Sequence, residues 1–129
     1  MADLLLDSNV LILHLRKRGS ASDFLLQWGE EENLCISVVT RAEIIAGMRP
    51  REEGFTMELL EAMPSESVTP PVADRAGQLI YSLARNGVQL SFPDALIAAT
   101  ALEHDLTLVT TNARHFPVEG LKMKEFPAG

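Results

Sequence analysis

Three carboxylates and one carboxamide stand where short apolar runs give way to helix-forming segments. Asp7 interrupts Leu4-Leu5-Leu6-Asp7-Ser8-Asn9-Val10-Leu11-Ile12, Glu43 lies beyond the apolar triplet Leu34-Cys35-Ile36, Asp94 follows Pro93, and Asn112 follows Leu106-Thr107-Leu108-Val109-Thr110. A buried charge without a partner is expensive, so Asp7 needs something to hold. If the three carboxylates meet, each pair about 4 Å apart at an effective dielectric of ~20 repels by ~4 kcal/mol, and a divalent cation is the natural compensation. Oxygen donors favour Mg²⁺ or Mn²⁺ over zinc, and no cysteine or histidine pair has zinc spacing. Such an ion polarises a phosphodiester oxygen and acidifies a coordinated water, so no side chain has to be the nucleophile.

Taken singly, each residue has a plainer role. Asp7, Ser8 or Asn9 can cap a helix. Thr40-Arg41-Ala42-Glu43 matches a capping box. Asp94 is favourable near a helix amino terminus, and Asn112 suits an ordinary turn. Convergence at one place is what would separate a site from four unrelated caps. His14, His104 and His115 fall on different expected elements and read as surface or packing residues. There is no Gly-rich phosphate loop and no G-x-S-x-G elbow, which counts against nucleotide binding and serine hydrolase chemistry.

The elements that must position these groups follow from periodicity and punctuation. Strands are expected at Leu4 to Leu6, Leu34 to Ile36, Glu66 to Thr69, Leu106 to Thr110 and around Leu121 to Phe126. Helices are expected at Val10 to Leu15, running into Arg16-Lys17-Arg18 and stopping at Gly19, then at Ser22 to Trp28, Ser37 to Gly47 and Glu52 to Met63. Two more follow at Val72 to Asn86, ended by Gly87, and at Asp94 to His104. Short strands alternating with helices predict the α/β class, with a mainly parallel sheet covered on both faces. In such sheets ligands bind beyond the carboxyl ends of the strands, where all four residues would fall.

The 129 residues, 47% of them hydrophobic, predict a single domain over residues 1–129 with no internal repeat or dividing linker. The lone Cys35 reads as a buried thiol in a reducing compartment and excludes a disulfide scaffold. No leader-like amino terminus and no membrane-length apolar run are present, so a cytoplasmic protein without membrane association is expected. A net charge of −7 argues against nucleic-acid binding through bulk charge and leaves open a local basic rim.

LLLDSNVLI, ISVVTRAEIIAG, FPDALIAATA and LTLVTTNARHF followed by Gly120-Leu121 together resemble the PIN domain, and within it the VapC-like toxins of type II toxin-antitoxin systems. The blocks occur in the family's order over essentially the whole chain. The resemblance implies a three-layer α/β/α sandwich and a metal-dependent endoribonuclease. Carried over by position, it makes Asp7, Glu43 and Asp94 metal-binding carboxylates, with Ser8 and Thr40 as polar support. Asn112 falls where the family often has a further acid, which implies one strong metal site and a second formed only with RNA phosphate. The resemblance also implies a homodimer, and a cognate antitoxin whose tail enters the active-site groove and holds the enzyme inactive. The segment Gly47 to Met63 is a candidate apolar groove for that tail, although its apolar residues equally suit the core.

An acidic pocket repels RNA, so substrate grip must come from nearby cations. Arg16-Lys17-Arg18, Arg41, Arg49 with Arg51, and Arg114 are the candidates. The alternatives are a DNA nuclease of the same metal-acid type, separable by parallel assays on RNA and DNA, and a non-catalytic RNA- or protein-binding adaptor with the fold but no turnover. A phosphate-accepting receiver module would want a paired acid beside Asp7 and a late lysine, where the chain has Ser8-Asn9 and Thr110-Thr111-Asn112.

Overall fold

The structure, a computed structural model, describes residues 3–16, 26 and 33–126. Five strands form one sheet: β1 (Asp3–Leu6), β2 (Asn33–Ser37), β3 (Ser65–Glu66), β4 (Thr107–Thr110) and β5 (Met123–Glu125), in the order β3-β2-β1-β4-β5. Every pairing is parallel. The described α-helices are α1 (Ser8–Leu15), α2 (Val38–Gly47), α3 (Glu53–Ala62), α4 (Pro70–Arg85) and α5 (Phe92–Glu103). The expected helix at Ser22 to Trp28 lies outside the described residues, apart from Leu26.

Side chains alternate along β1, and each face of the sheet has its own core. Leu5, Cys35 and Leu108 face α4 and α5 together with Phe116, while Leu4, Leu6, Ile36 and Val109 face α1, α2 and α3. Helix α5 is apolar nearly all round, and Ala95, Ile97, Ala98, Ala99, Thr100 and Ala101 are all buried. Its small residues let it sit close to both the sheet and α4, as befits a helix covered on most sides. Helix α4 is amphipathic instead, burying Val72 and Ala76 and packing Leu79, Ile80 and Leu83 against the same core. Gly87 follows it at φ +75°, the left-handed conformation that ends many helices and that glycine adopts at little cost.

The boundaries move where caps override hydrophobic pattern. Ser37 is the last residue of β2 and also the cap of α2, its Oγ accepting from Val39 N–H at 3.0 Å. Helices α4 and α5 begin earlier than expected because Thr69 and Ser91 cap them and prolines tolerate the first turn. The third strand is only Ser65–Glu66, shifted from the expected Glu66 to Thr69, because Thr69 already serves the next helix. The last strand is shorter than expected, at Met123–Glu125. Within Gly47 to Met63 the core reading prevails for Leu60, which is buried, and for Met57, Leu59 and Met63, which pack against the α1–α3 core; Phe55 stays exposed. Among the described residues no helix is long and apolar enough to cross a membrane.

Candidate active site

Asp7 is the residue directly after β1 and the cap of α1. Its backbone N–H donates to Val109 O at 2.9 Å, continuing the β1–β4 ladder by one step. The register Leu6↔Val109 then brings Asp7 beside Thr110. The Thr110 hydroxyl donates to Asp7 Oδ2 at 2.9 Å and accepts from Asn112 N–H at 3.1 Å, while Ser8 N–H donates to Oδ1 at 2.8 Å. Both carboxylate oxygens are therefore oriented by groups anchored at a strand end. Asp7 is 6% exposed. Burial pushes its pKa up from the ordinary 3.8, the two hydrogen bonds pull it down, Asp94 raises it and His115 lowers it.

Glu43 projects from the second turn of α2. Its carboxyl is raised above the ordinary 4.5 by desolvation first, then by Asp7 and Asp94, with a hydrogen bond from the Ser8 hydroxyl in opposition. The capping box at Thr40-Arg41-Ala42-Glu43 is not formed, because Ser37 takes the cap and Thr40 lies inside the helix. Asp94 is in the first turn of α5, where its own N–H donates to Ser91 Oγ at 3.3 Å. The three carboxylates act on one another across the carboxyl ends of β1 and β2, as the sheet rule predicts.

Among the described residues, no three His, Cys, Asp or Glu side chains close into a ready-made cation shell. An open arrangement of oxygen donors suits a hard ion such as Mg²⁺, which keeps several waters and takes only one or two carboxylates directly. Carboxyls raised by burial and by one another fit the same chemistry. Thr40, fully buried on α2, has a hydroxyl oxygen without a hydrogen-bond partner.

Asn112 is turned to a different task from that of a free oxygen donor. Its Oδ1 accepts from Arg114 N–H at 3.2 Å, capping a short 3₁₀ turn, Ala113–His115. Its Nδ2 lies 3.1 Å from His115 Nε2, which then serves as acceptor. The side chain thus organises the turn that carries Arg114 and His115.

The expected basic rim separates into distinct groups. Arg41 donates to Leu60 O at 2.7 Å and to Ser65 Oγ at 3.2 Å, tying α2 to the end of α3. Two residues from Glu43 on the same helix, it occupies another face and is not brought to the carboxylates. Arg16 pairs with Glu52 at 3.5 Å. Lys17 and Arg18 lie outside the described residues. Arg114 is exposed and lines an open groove of about 710 Å³ that also contains Asp94 and His115.

Two participants were not legible as such in the sequence. Thr110 reads there as one more β-branched strand residue, and the available signal was its place in line with Asp7 at the ends of adjacent strands. His115 reads as a surface residue, and the signal was its spacing of three from Asn112. Cys35 matches its expected role: its thiol donates to Leu4 O at 3.4 Å and is pushed up to about 11, chiefly by burial.

The PIN domain family model matches residues 4–119. "Ribonuclease VapC10" of Mycobacterium tuberculosis is 41% identical over 115 residues, covering 89% of this chain and 86% of that protein. The "tRNA(fMet)-specific endonuclease VapC" of Shigella flexneri is 28% identical over 138 residues, with 98% and 99% covered. Among solved structures, a toxin-antitoxin complex from Klebsiella pneumoniae superposes with a TM-score of 0.75 at 28% identity, over 91% of this chain and 92% of that one. With the parallel sheet and the acidic cluster at its carboxyl edge, these likenesses establish that the chain belongs to the PIN domain family.

Proposed function

We propose that this chain is the endoribonuclease of a toxin-antitoxin pair, with Asp7, Glu43 and Asp94 holding Mg²⁺ or Mn²⁺. The observation that carries this reading is Asp7, buried at a strand end and electrostatically coupled to two further carboxylates. The names of the two relatives, a ribonuclease and a tRNA-specific endonuclease, support RNA as substrate, and the complex from Klebsiella supports an antitoxin partner.

A bound divalent ion supplies Lewis-acid polarisation of the phosphodiester and a more acidic water at neutral pH. The chain's own residues supply position. Thr110 and Ser8 fix the Asp7 carboxylate from two sides, Ser8 also bonds Glu43, and the first turn of α5 carries Asp94. Asn112 orders the turn bearing Arg114, whose guanidinium meets the RNA backbone. With an amide at this fourth position, the free protein takes one ion tightly, and RNA phosphate completes a second site. Calorimetric titration of the free protein with Mn²⁺ is expected to give one tight site, and two equal tight sites would contradict the assignment.

The antitoxin occupies the apolar groove of about 670 Å³ lined by Leu15, Leu26, Phe55 and Leu59. Exposed Tyr81 and Phe92 on α4 and α5 support a homodimer, checked by light scattering of the purified chain. The activity is tested on a mixed cellular RNA pool with Mg²⁺ or Mn²⁺, with chelator, and with Asp94→Asn. Fragments are expected only from the wild type with metal. A folded, antitoxin-free preparation that binds metal and cuts nothing would overturn the nuclease reading.

A further inference from the structure

The groove beside Asp94 runs between the last turns of α4, the 88–91 segment and the turn after Asn112. Its walls are of two kinds. Ile80, Val88 and Pro117 form an apolar surface, while Gln89, Asp94 and Arg114 bring polar groups to its edge. At about 710 Å³ it is comparable in volume to the roughly 300–1,000 Å³ of sites that take one small organic ligand.

Several arginines elsewhere in the chain are already engaged. Arg16 pairs with Glu52, Arg41 bonds Leu60 O, Arg75 pairs with Glu103, and Arg85 lies over the Tyr81 ring. The Arg114 guanidinium and the Gln89 amide make no hydrogen bond or ion pair among the described residues, and both side chains are exposed. A free guanidinium sharing a groove with a carboxylate expected to carry a cation is suited to a phosphate. A free carboxamide offers one donor face and one acceptor, the pair that reads a base edge, and the apolar wall offers a surface for the base plane.

We propose that this groove is a subsite for one unpaired nucleoside of the RNA, adjoining the phosphate that is cut, with Gln89 reading the base and Arg114 holding the backbone. The assignment rests on the nuclease reading and adds to it the origin of base preference. It requires single-stranded substrate, because a base must leave its stack to expose a face and an edge together. Phosphate contacts position the strand and base contacts specify it, so the two residues are separable by experiment.

The test is cleavage of a random-sequence single-stranded RNA library, with sequencing of the cut ends, by wild type, Gln89→Ala and Arg114→Ala. Circular dichroism of each variant verifies the fold, which these exposed positions do not support. For Gln89→Ala, the base preference at one position flanking the cut is expected to fall by about 10-fold. For Arg114→Ala, KM rises for all sequences alike, and the slope of log affinity against log salt becomes shallower by about one. Cleavage by Gln89→Ala with an unchanged base profile would overturn the subsite while leaving the nuclease reading intact. If the wild type cuts no RNA, nucleoside monophosphates titrated against backbone amide resonances decide the subsite separately. Shifts confined to residues 88–91 and 114–117 support it, and no shifts overturn it. Variants that weaken antitoxin capture, with no nucleotide effect, would identify a peptide groove and likewise overturn it.

Discussion

Two open grooves on opposite faces of the sheet have similar volumes, about 710 and about 670 Å³, and differ in the polar groups at their edges. On the α4–α5 face the groove meets the carboxyl ends of the strands and gathers Asp94, Arg114, His115 and Gln89. On the α1–α3 face it is lined chiefly by Leu15, Leu26, Phe55 and Leu59. Concavity alone therefore does not distinguish a site for a charged substrate from one for an apolar helix or tail. What differs is the relation to the sheet edge, where parallel strands deliver side chains from different parts of the chain to one place. The apolar groove also draws on separated parts of the chain, Leu15, Leu26 and the α3 residues Phe55 and Leu59, but none of these lies at the carboxyl end of a strand.

The largest expected contrast comes from the carboxylates. Asp7→Asn or Asp94→Asn is expected to lower RNA cleavage by at least about 10²–10³-fold, because each removes charge from the reacting centre, while pull-down of antitoxin persists. Equal loss of both properties would show that the grooves are not independent. Next is Thr110→Val, which keeps the strand shape and removes the hydroxyl between Asp7 and Asn112. An activity loss of about 10–100-fold is expected from disorienting the carboxylate, as for other outer partners of metal ligands. Urea denaturation should show a cost of about 1–3 kcal/mol for the unsatisfied buried oxygen.

A smaller effect is expected on the opposite face. Phe55→Ser should weaken antitoxin binding by about 10-fold, measured by calorimetry, and leave the RNA cut-site profile in place. Loss of cleavage without loss of binding there would break the division of labour. The smallest effect is in the pH dependence of the metal-free protein. Burial raises Asp7 above 3.8 and Glu43 above 4.5, so the folded chain holds these protons more firmly than the unfolded chain. Their contribution to stability is fully present below the unfolded values and is lost as pH rises through the raised folded values. The urea midpoint of wild type relative to Asp7→Asn should therefore fall as pH rises above the ordinary carboxylate value, and Mn²⁺ should reverse the trend by binding the ionised form. A rising relative midpoint without metal would show that the carboxylate is stabilised when charged.

Much of the fold was legible because the relevant forces are local. Alternation in β1, the Pro-started helices α4 and α5 and the stop at Gly87 depend on sequence neighbours, and the structure departs from expectation mainly where Ser37, Thr69 and Ser91 take caps. The direction of Arg41 was not legible, because charge type says nothing of direction. Its guanidinium is drawn to Leu60 O and Ser65, carbonyl and hydroxyl groups 19 and 24 residues away.

The sequence alone determined the α/β class, the order of the strands along the chain and the identity of the acidic residues, since periodicity, caps and residue chemistry are written locally. Only the tertiary structure decided that Thr110, 103 positions from Asp7, orients its carboxylate. It alone also turned Arg41 toward Leu60 and placed Arg114 and Asp94 in one groove. Those relations depend on the register between β1 and β4 and on which helix face meets which neighbour, and such contacts form between residues that share no local signal.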